Sequence, residues 1–348
     1  MAIGELGYSF KMTQDCQIYC TVFDKNYLYQ GVTLFRSLQS YSPKFKLYCL
    51  ALDSESVSAL RTLNFPELIV VELSNLNPDQ VNWIRPRVTY PQFCWSMQPL
   101  ICKFVLDAGE PSVTYLESDS CFFSNPQPIF EELRSASVSL APHFFADEFK
   151  DSQGTSGKYC THFNFFRNDH DGRACLEFWR EKNFEYAKEH PNVFPGQTAL
   201  DYFKEKFKGV VEIENRGAGV APWNVQQYAV SKKSHQVLIN GQPVIFYHFH
   251  QLARYQDGKF GLGEYPFSKQ TIDYLYIPYI REVLESERMV RAQVPSFDFK
   301  RAAPVEPTML NSAASLNKTA FKRSIHNLIR KIKGVYHVID PVSLKNKG

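Results

Sequence analysis

Residues 112–126, SVTYLESDSCFFSNP, combine a strand pattern with two acidic residues. An apolar, β-branched run is followed at once by acidic and turn residues, which is typical of a buried strand and the loop after it. Side chains alternate in an extended chain, so we expect Glu117 and Asp119 to face the same way at the carboxyl end of this strand. Two carboxylates there suit a hard divalent cation, although a solvated strand-to-turn junction would give the same pattern.

Strand patterns alternate with helical patterns on both sides of this stretch. Upstream, QIYCTVF (17–23) precedes a helical pattern over 27–41, and KLYCLAL (46–52) precedes another. Downstream, FNFFR (163–167) is a further strand, and a helix is expected from Asp171. Strands spaced by helices predict an α/β fold with a mostly parallel sheet and helices on both faces.

The segment VLINGQPVIFYHFH (237–250) carries the clearest hairpin signal. The Asn-Gly pair at 240–241 lies between two apolar runs and predicts a two-residue turn, after which His248 ends a strand. Arg254 follows six residues later. One imidazole could therefore complete a carboxylate-rich metal site while a guanidinium contacts a phosphate, or the His could be satisfied by a hydrogen bond in the core.

The composition excludes several classes of protein. With 44% hydrophobic and 22% charged residues, the 348-residue chain can bury a large core, so disorder is excluded as its main state. No basic run is long enough to predict nucleic-acid binding. We find no signal peptide or membrane span, and the eight cysteines form no Cys-x-x-Cys pair, which predicts reduced thiols and a cytoplasmic protein.

The C-terminal part differs from the rest. A Pro-, Ala- and Ser-rich linker is expected over 295–317, between a catalytic domain over 1–294 and a tail over 318–348. The tail begins with a basic amphipathic helix over 318–333, a pattern typical of helices on anionic membrane surfaces or of a helix docked on the body. Residues 300–348 hold ten Lys or Arg against two Asp or Glu, so a net charge of +8 contrasts with −5 for the remainder.

These residues resemble the GT-A type glycosyltransferases, in particular the family 8-like enzymes and related nucleotide-diphospho-sugar transferases, from Ile18 to a little beyond Arg254. The resemblance implies a Rossmann-type mixed sheet flanked by helices, with a C-terminal helical tail. Members of the family hold the nucleoside with an Asp-x-Asn-Tyr element, which matches Asp24, Asn26 and Tyr27 in VFDKNY.

Two further family motifs match. The Asp-x-Asp motif for metal and diphosphate corresponds to Glu117 and Asp119 in YLESDS, and the His of His-x-x-Gly-x-x-Lys corresponds to His248, a third metal ligand. Arg254 stands at the diphosphate-binding Lys of that motif. Lys103, on the helix before the metal strand, is expected to face the diphosphate or to be simply solvated.

The resemblance implies transfer of a hexosyl unit from a nucleotide sugar, UDP-linked, with Mn²⁺ or Mg²⁺, to a glycan or lipid-linked acceptor. Retention of configuration is expected, with Gln197 near the reacting face and Asp119 at the metal. Inversion would require a base, for which the candidates are Asp201, Asp147 and Glu148.

The chain departs from the family pattern at five positions. Glu117 replaces the first Asp of the metal motif, and Gly196 stands where the family has an Asp that holds sugar hydroxyls. Cys160 and His162 occupy an Asn-x-Gly position near the sugar, and Gln251 replaces a Gly. These departures leave open a catalytically degenerate protein that binds a nucleotide sugar or glycan. A sugar-nucleotide pyrophosphorylase lacks support, because the Gly-rich loop after the first strand is absent.

Overall fold

The computed structural model describes residues 16–189, 195–297 and 330–344 of the chain. Most of the predicted linker over 295–317 and of the predicted basic helix over 318–333 lies outside these residues. No helix in the described ranges combines the length and the apolar character that crossing a bilayer requires.

Four parallel strands form one half of the central sheet. They are β1 (Gln17–Phe23), β2 (Phe45–Ala51), β3 (Leu68–Glu72) and β4 (Ser112–Leu116), in the order β3-β2-β1-β4. Apolar runs of this kind fit strands that helical crossovers cover on both faces. The predicted alternation of strands and helices is confirmed in this half.

The other half of the sheet is mixed, which differs from the mostly parallel sheet indicated by the alternation. β8 (Phe163–Arg167) runs antiparallel to β4 and to β6 (Val138–Pro142). β6 also pairs antiparallel with β7 (Tyr159–Cys160) and parallel with β9 (Val210–Glu212). The apolar pattern predicts a strand but not its direction, which depends on the partners the strand meets. The mixed sheet implied by the family resemblance is confirmed.

A small sheet lies across the carboxyl edge of the parallel half. It consists of β5 (Ser120–Phe122), β14 (Phe246–His248) and β10 (Ala218–Val220), with β14 in the middle. His248 lies opposite Ser120 in the antiparallel pairing of β14 with β5. This pairing brings the end of the late strand to the turn after β4.

The predicted Asn-Gly hairpin is confirmed. β12 (Gln236–Ile239) and β13 (Gln242–Pro243) pair antiparallel, and β11 (Val230–Lys233) pairs with the other side of β12. The turn residues 240 and 241 have φ of 48° and 82°. Positive φ at both central residues is the geometry that Asn-Gly favours in such turns.

Helices cover both faces of the central sheet, and one further three-stranded sheet contains β15 (Ala253–Arg254), β16 (Phe260–Gly261) and β17 (Val338–Ile339). The C-terminal strand β17 pairs with β16, so the last described segment packs on the body. The helices are α1 (Leu28–Tyr41), α2 (Ser54–Leu63), α3 (Pro78–Ile84), α4 (Tyr90–Asp107), α5 (Gln127–Glu132), α6 (Gln153–Ser156), α7 (His170–Glu189), α8 (Pro195–Thr198), α9 (Phe203–Lys206), α10 (Lys269–Thr271) and α11 (Ile277–Gln293).

Gly31 allows α1 to pack closely on the end of β1. A Cβ at this position would overlap the ring of Phe23, which is only 4% exposed. We expect Gly31→Ala to lower the free energy of unfolding by about 1–3 kcal/mol, because the buried ring has little room to move. Urea denaturation measures the change. Gly154→Ala is the control, since no atom lies within 4 Å of its added Cβ, and equal stability of the two variants would contradict the prediction.

Candidate active site

A cavity of about 480 Å³ opens at the carboxyl ends of β1 and β4. The loop after β1, the first half of α4, the turn after β4 and the segment after β10 surround it. Ligands of open α/β sheets bind at this edge. The lining includes Asp24, Asn26, Tyr27, Tyr90, Cys94, Gln98, Glu117, Asp119, His143, Thr161, Gln197, Trp223 and His248.

Asp24 organises the loop that follows β1. Its Oδ1 accepts a hydrogen bond from the Asn26 backbone N–H at 2.9 Å, and its Oδ2 accepts from Asn26 Nδ2 at 2.5 Å and from the Tyr90 hydroxyl at 3.0 Å. Asn26 Oδ1 is buried without a hydrogen-bond partner, and the Tyr27 side chain at the cavity is 48% exposed. The loop therefore offers a ligand one acceptor oxygen and one aromatic face.

One face of α4 lines the cavity. Tyr90, Cys94 and Gln98 are four residues apart and all contribute to the lining, because residues at this spacing share a helix face. Gln98 Nε2 donates a hydrogen bond to Glu117 Oε1 at 3.0 Å. The first half of this helix thus connects the loop after β1 with the acidic turn after β4.

Glu117 and Asp119 lie in a turn between β4 and β5, which corrects the expectation of an extended strand. β4 ends at Leu116, and the Ser120 N–H donates to the Glu117 carbonyl at 3.0 Å, so the chain turns here. Strand alternation therefore does not align the two carboxylates. The turn brings them close instead, and the charge of Asp119 contributes to the raised pKa of Glu117.

Hydrogen-bond donors surround the carboxyl group of Glu117. Besides Gln98, the Thr161 hydroxyl donates to Oε1 at 2.8 Å and the Tyr115 hydroxyl donates to Oε2 at 3.2 Å. Burial, reinforced by the charge of Asp119, raises the pKa of Glu117 to about 7. A cation placed beside Glu117 would favour the carboxylate form and lower this pKa.

Asp119 and His248 form a buried ion pair. His248 Nε2 lies 3.0 Å from Asp119 Oδ1, and the Phe249 N–H donates to the Asp119 carbonyl at 2.9 Å. Burial opposes both charges, but their mutual attraction overcomes it. The pKa of Asp119 therefore lies below its ordinary value and the pKa of His248 well above it.

All three predicted metal ligands line the same cavity. Glu117 and Asp119 share one turn, and His248 reaches that turn from the end of β14. Two carboxylates and an imidazole are a donor set that suits Mn²⁺, and His248 Nε2 lies 3.0 Å from Asp119 Oδ1 on the side of the acidic turn. The residues present therefore fit a divalent cation.

A second group of donors lies beside His248. Three buried side chains, those of Cys160, His162 and His248, each offer one ligand atom, and these atoms lie within 4.8 Å of one another. Neither ring nitrogen of His162 has a hydrogen-bond partner, a situation that costs about 1–3 kcal/mol per unpaired buried group. Gly219, with φ of 86°, makes room for this ring, because an added Cβ would lie 2.5 Å from His162 Nε2.

Asn224 fixes the aromatic wall of the cavity. Its Nδ2 donates to the His143 carbonyl at 2.9 Å and to the Gly219 carbonyl at 3.0 Å, while its Oδ1 accepts from the Ala221 N–H at 2.9 Å. The Trp223 indole N–H donates to the same His143 carbonyl at 3.0 Å. The Trp223 ring is thereby held edge-on to the His248 imidazole, with 5.3 Å between their centroids.

Three residues that the sequence placed at the site lie outside the cavity lining in the structure. Lys103 pairs with Asp107 at 2.5 Å on the second half of α4. Arg254 forms an ion pair with Glu287 of α11 and lies over the Phe260 ring. Asp201 accepts a hydrogen bond from the Lys158 N–H at 2.9 Å, which anchors a neighbouring loop.

Two further positions were singled out in the sequence, Gln197 and Gln251. Gln197, on α8, lines the cavity. Its Oε1 accepts a hydrogen bond from the Thr161 N–H at 3.4 Å, and its Nε2 donates to the Ser156 carbonyl at 3.3 Å. Gln251, which replaces a Gly of the family motif, has a φ of 64°. The backbone thus keeps a left-handed conformation that glycine adopts most easily.

Three residues that hold the acidic groups in place were not predicted from the sequence, namely Tyr90, Gln98 and Thr161. The spacing of residues 90, 94 and 98 on one helix face is a signal that could have found the first two. Thr161 had no such signal. It reaches Glu117 only through the pairing of β7 with β6 and of β8 with β4.

The chain is similar to known proteins in its sequence and in its fold. The family model for nucleotide-diphospho-sugar transferases matches residues 46–277. The uncharacterised protein YfnF of Bacillus subtilis (strain 168) is 32% identical over 242 residues, which cover 66% of this chain and 80% of YfnF. YfnD of the same organism is 24% identical over 287 residues, which cover 80% of this chain and 92% of YfnD.

The fold is similar to that of the galactosyltransferase LgtC, solved in complex with donor and acceptor sugar analogues. The TM-score is 0.53 at 12% identity, over 77% of this chain and 96% of LgtC. An LgtC variant with an active-site glutamine replaced by glutamate gives a TM-score of 0.51 at 11% identity, with the same coverage. At this identity the likeness shows a shared fold.

We expect Asn224→Ala to destabilise the protein by about 2–4 kcal/mol, because it removes buried hydrogen bonds and leaves backbone groups unpaired. Urea denaturation followed by tryptophan fluorescence measures the change. Gln227→Ala is the matched control. Its amide donates to the Phe144 carbonyl at 2.6 Å on the exposed surface, so its loss should cost less than about 1 kcal/mol. Equal losses for the two variants would show that Asn224 does not hold the wall.

Proposed function

Because the chain belongs to the nucleotide-diphospho-sugar transferases and is thus a glycosyltransferase, we propose that it transfers a hexosyl unit from a UDP-sugar in a reaction that depends on Mn²⁺ or Mg²⁺. The acceptor we propose is a glycan or a lipid-linked sugar. The observation that carries the proposal is the cavity itself, in which the loop of Asp24 and Asn26 faces the acidic turn of Glu117 and Asp119.

The charges that line the cavity support a bound cation. Among the described residues that line it, none is Lys or Arg, whereas three carboxylates are present, those of Asp24, Glu117 and Asp119. A nucleoside diphosphate is an anion and needs positive charge in such a site. A divalent cation bound by these residues would supply that charge and would stabilise the leaving diphosphate.

The residues of the chain have separate tasks in the proposed reaction. Glu117, Asp119 and His248 would hold the cation, and Gln98 and Thr161 orient the Glu117 carboxyl group by hydrogen bonds. Asn26 Oδ1 accepts a hydrogen bond from the nucleoside, and Tyr27 packs against it. The aromatic wall around Trp223 excludes water, which strengthens charge interactions in the cavity and limits hydrolysis of the donor.

We propose retention of configuration, with Gln197 near the reacting face. Gln197 lines the cavity, and LgtC also has an active-site glutamine. The candidate bases for inversion are less suitable. Asp201 is engaged by the Lys158 N–H, and Asp147 is exposed and pairs with Lys150 at 2.5 Å. Neither carboxylate lines the cavity, and neither does Glu148.

The alternative is a protein of the same fold that binds a nucleotide sugar without turnover. Glu117, Gly196 and Gln251 motivate it, since each departs from the family motif. The two functions differ in one measurement, the release of UDP from a panel of UDP-sugars in the presence of Mn²⁺ and acceptors. Thermal stabilisation by UDP-sugars without UDP release would support the binding protein.

We expect Asp119→Ala and His248→Ala each to lower the rate of UDP release by about 100-fold or more, because the charge on the leaving diphosphate loses its stabilisation. A coupled assay for UDP with saturating Mn²⁺ measures the rate. Asp79→Ala and His170→Ala are matched controls on exposed helix positions outside the cavity, and should keep the wild-type rate. Full activity in Asp119→Ala would contradict the proposed metal site.

We also propose that residues 318–333 bring the protein to the inner face of a membrane as a peripheral protein. Six basic residues accompany an apolar stripe there, at Lys318, Lys322, Arg323, Arg330, Lys331 and Lys333. Arg330 donates to the Gly263 carbonyl of the body, so the other five would supply the charge that attracts an anionic surface. Because β17 is part of a three-stranded sheet, deleting the whole tail would also damage the body. Point substitutions of the basic residues are therefore the better test.

We expect Lys322→Ser combined with Arg323→Ser to reduce the fraction that co-sediments with phosphatidylserine-containing liposomes, because each basic residue near an anionic surface contributes about 1 kcal/mol. Lys232→Ser combined with Lys233→Ser, on the exposed strand β11, is the charge-matched control. Neutral liposomes should bind both proteins weakly. Equal binding of both double variants to anionic liposomes would exclude this role for the tail.

A further inference from the structure

We propose that Cys160, His162 and His248 form a metal site of their own, which binds a cation that prefers nitrogen and sulfur ligands, with Zn²⁺ as its occupant. The site lies beside the acidic turn and shares His248 with it. This inference goes beyond the proposed transfer reaction, since metal binding to these residues can be measured without any donor or acceptor.

The backbone holds the three side chains at strand ends. Cys160 is the last residue of β7, His162 lies in the turn that leads into β8, and His248 is the last residue of β14. Their ligand atoms lie within 4.8 Å of one another. Zn–N bonds of about 2.0–2.1 Å and Zn–S bonds of about 2.3 Å, in a tetrahedron, need ligand atoms about 3.3–3.6 Å apart. Atoms separated by up to 4.8 Å would each have to move by up to about 1 Å to reach this geometry.

His248 is prepared to act as a ligand through its second nitrogen. Its Nε2 lies 3.0 Å from Asp119 Oδ1, and the imidazole also interacts with the neighbouring Cys160 thiol, which donates to Gln197 Oε1 at 3.4 Å. Metal-binding histidines usually donate their other ring N–H to a carboxylate, which fixes the tautomer and makes the ligating nitrogen more basic. Asp119 can play that part for a cation held at Nδ1.

His162 is the residue whose surroundings most clearly indicate a bound ligand. The side chain is fully buried, yet neither ring nitrogen has a hydrogen-bond partner. Buried polar atoms in folded proteins are nearly always paired, and an unpaired one points to a water or ion that completes it. The ring packs between Phe246 and His248, with centroid distances of 5.2 and 5.5 Å. A cation between His162 and His248 would pair both imidazoles.

The ligand types decide which cation this site prefers. Thiolate and imidazole suit Zn²⁺ and Co²⁺, whereas Mg²⁺ and Mn²⁺ prefer carboxylate oxygens. The cavity thus presents oxygen ligands on the acidic turn and softer ligands beside it. Because His248 belongs to both sets, the two cations compete for it, and Zn²⁺ is expected to antagonise Mn²⁺.

The test uses Co²⁺ as a spectroscopic probe with the full-length protein, after removal of metals by a chelator. We expect one equivalent of Co²⁺ to produce a thiolate-to-cobalt charge-transfer band in the near ultraviolet and the visible bands of tetrahedral cobalt, and one equivalent of Zn²⁺ to abolish both. Cys160→Ser should lose the charge-transfer band. Cys94→Ser, a substitution of a cavity-lining thiol outside the cluster, should keep it.

His162→Gln provides a second, independent variant in case Cys160→Ser folds poorly. It should keep the charge-transfer band and weaken Zn²⁺ binding by at least about tenfold in competition with a coloured chelator. Binding of Co²⁺ without a charge-transfer band would overturn the proposal, and so would a band lost in Cys94→Ser or unchanged Zn²⁺ affinity in His162→Gln. UDP release with Mn²⁺, measured on the same variants, reports on the transfer reaction separately.

Discussion

The buried pairing of Asp119 with His248 is the interaction on which the site depends. It joins the turn after β4 to the end of β14, and the strand pairing of β5 with β14 supports it. Either charge alone would be costly in this place, because a buried charge without its partner is strongly destabilising. The rings of Trp223 and His162 lie against His248 and keep water away, which strengthens the attraction. Charge pairing and strand pairing therefore stabilise the same arrangement.

Much of the fold follows from local patterns, whereas the direction of strands does not. Continuous apolar runs predicted β1, β2 and β4, and the turn at 240–241 followed from its two residue types. The antiparallel course of β8 could not be predicted, because the same apolar residues fit either direction. The turn at Glu117 was also missed, since alternation describes a strand and says nothing about where it ends.

Site residues that belong to a short sequence motif could be predicted. The ion-pair partner of a charged residue, which can lie far along the chain, could not. Asp24, Glu117, Asp119 and His248 all line one cavity, and each lies next to a strand end. Arg254 instead pairs with a glutamate of α11, a choice that depends on how a late helix packs. Gln251 shows the same limit, because its sequence context does not indicate the left-handed φ of 64° that it adopts.

The described residues that line the cavity include no Lys or Arg, and this affects how the donor and the cation influence each other's binding. In the proposed reaction, an anionic donor that binds without a cation is repelled by the carboxylates. A cation that binds without the donor is coordinated by the same carboxylates. Each ligand therefore improves the site for the other. Thermodynamic reciprocity then requires that the donor raise the affinity for the cation by the same factor as the cation raises the affinity for the donor. The two ligands act as one cooperative unit, and the apparent affinity for either depends on the concentration of the other.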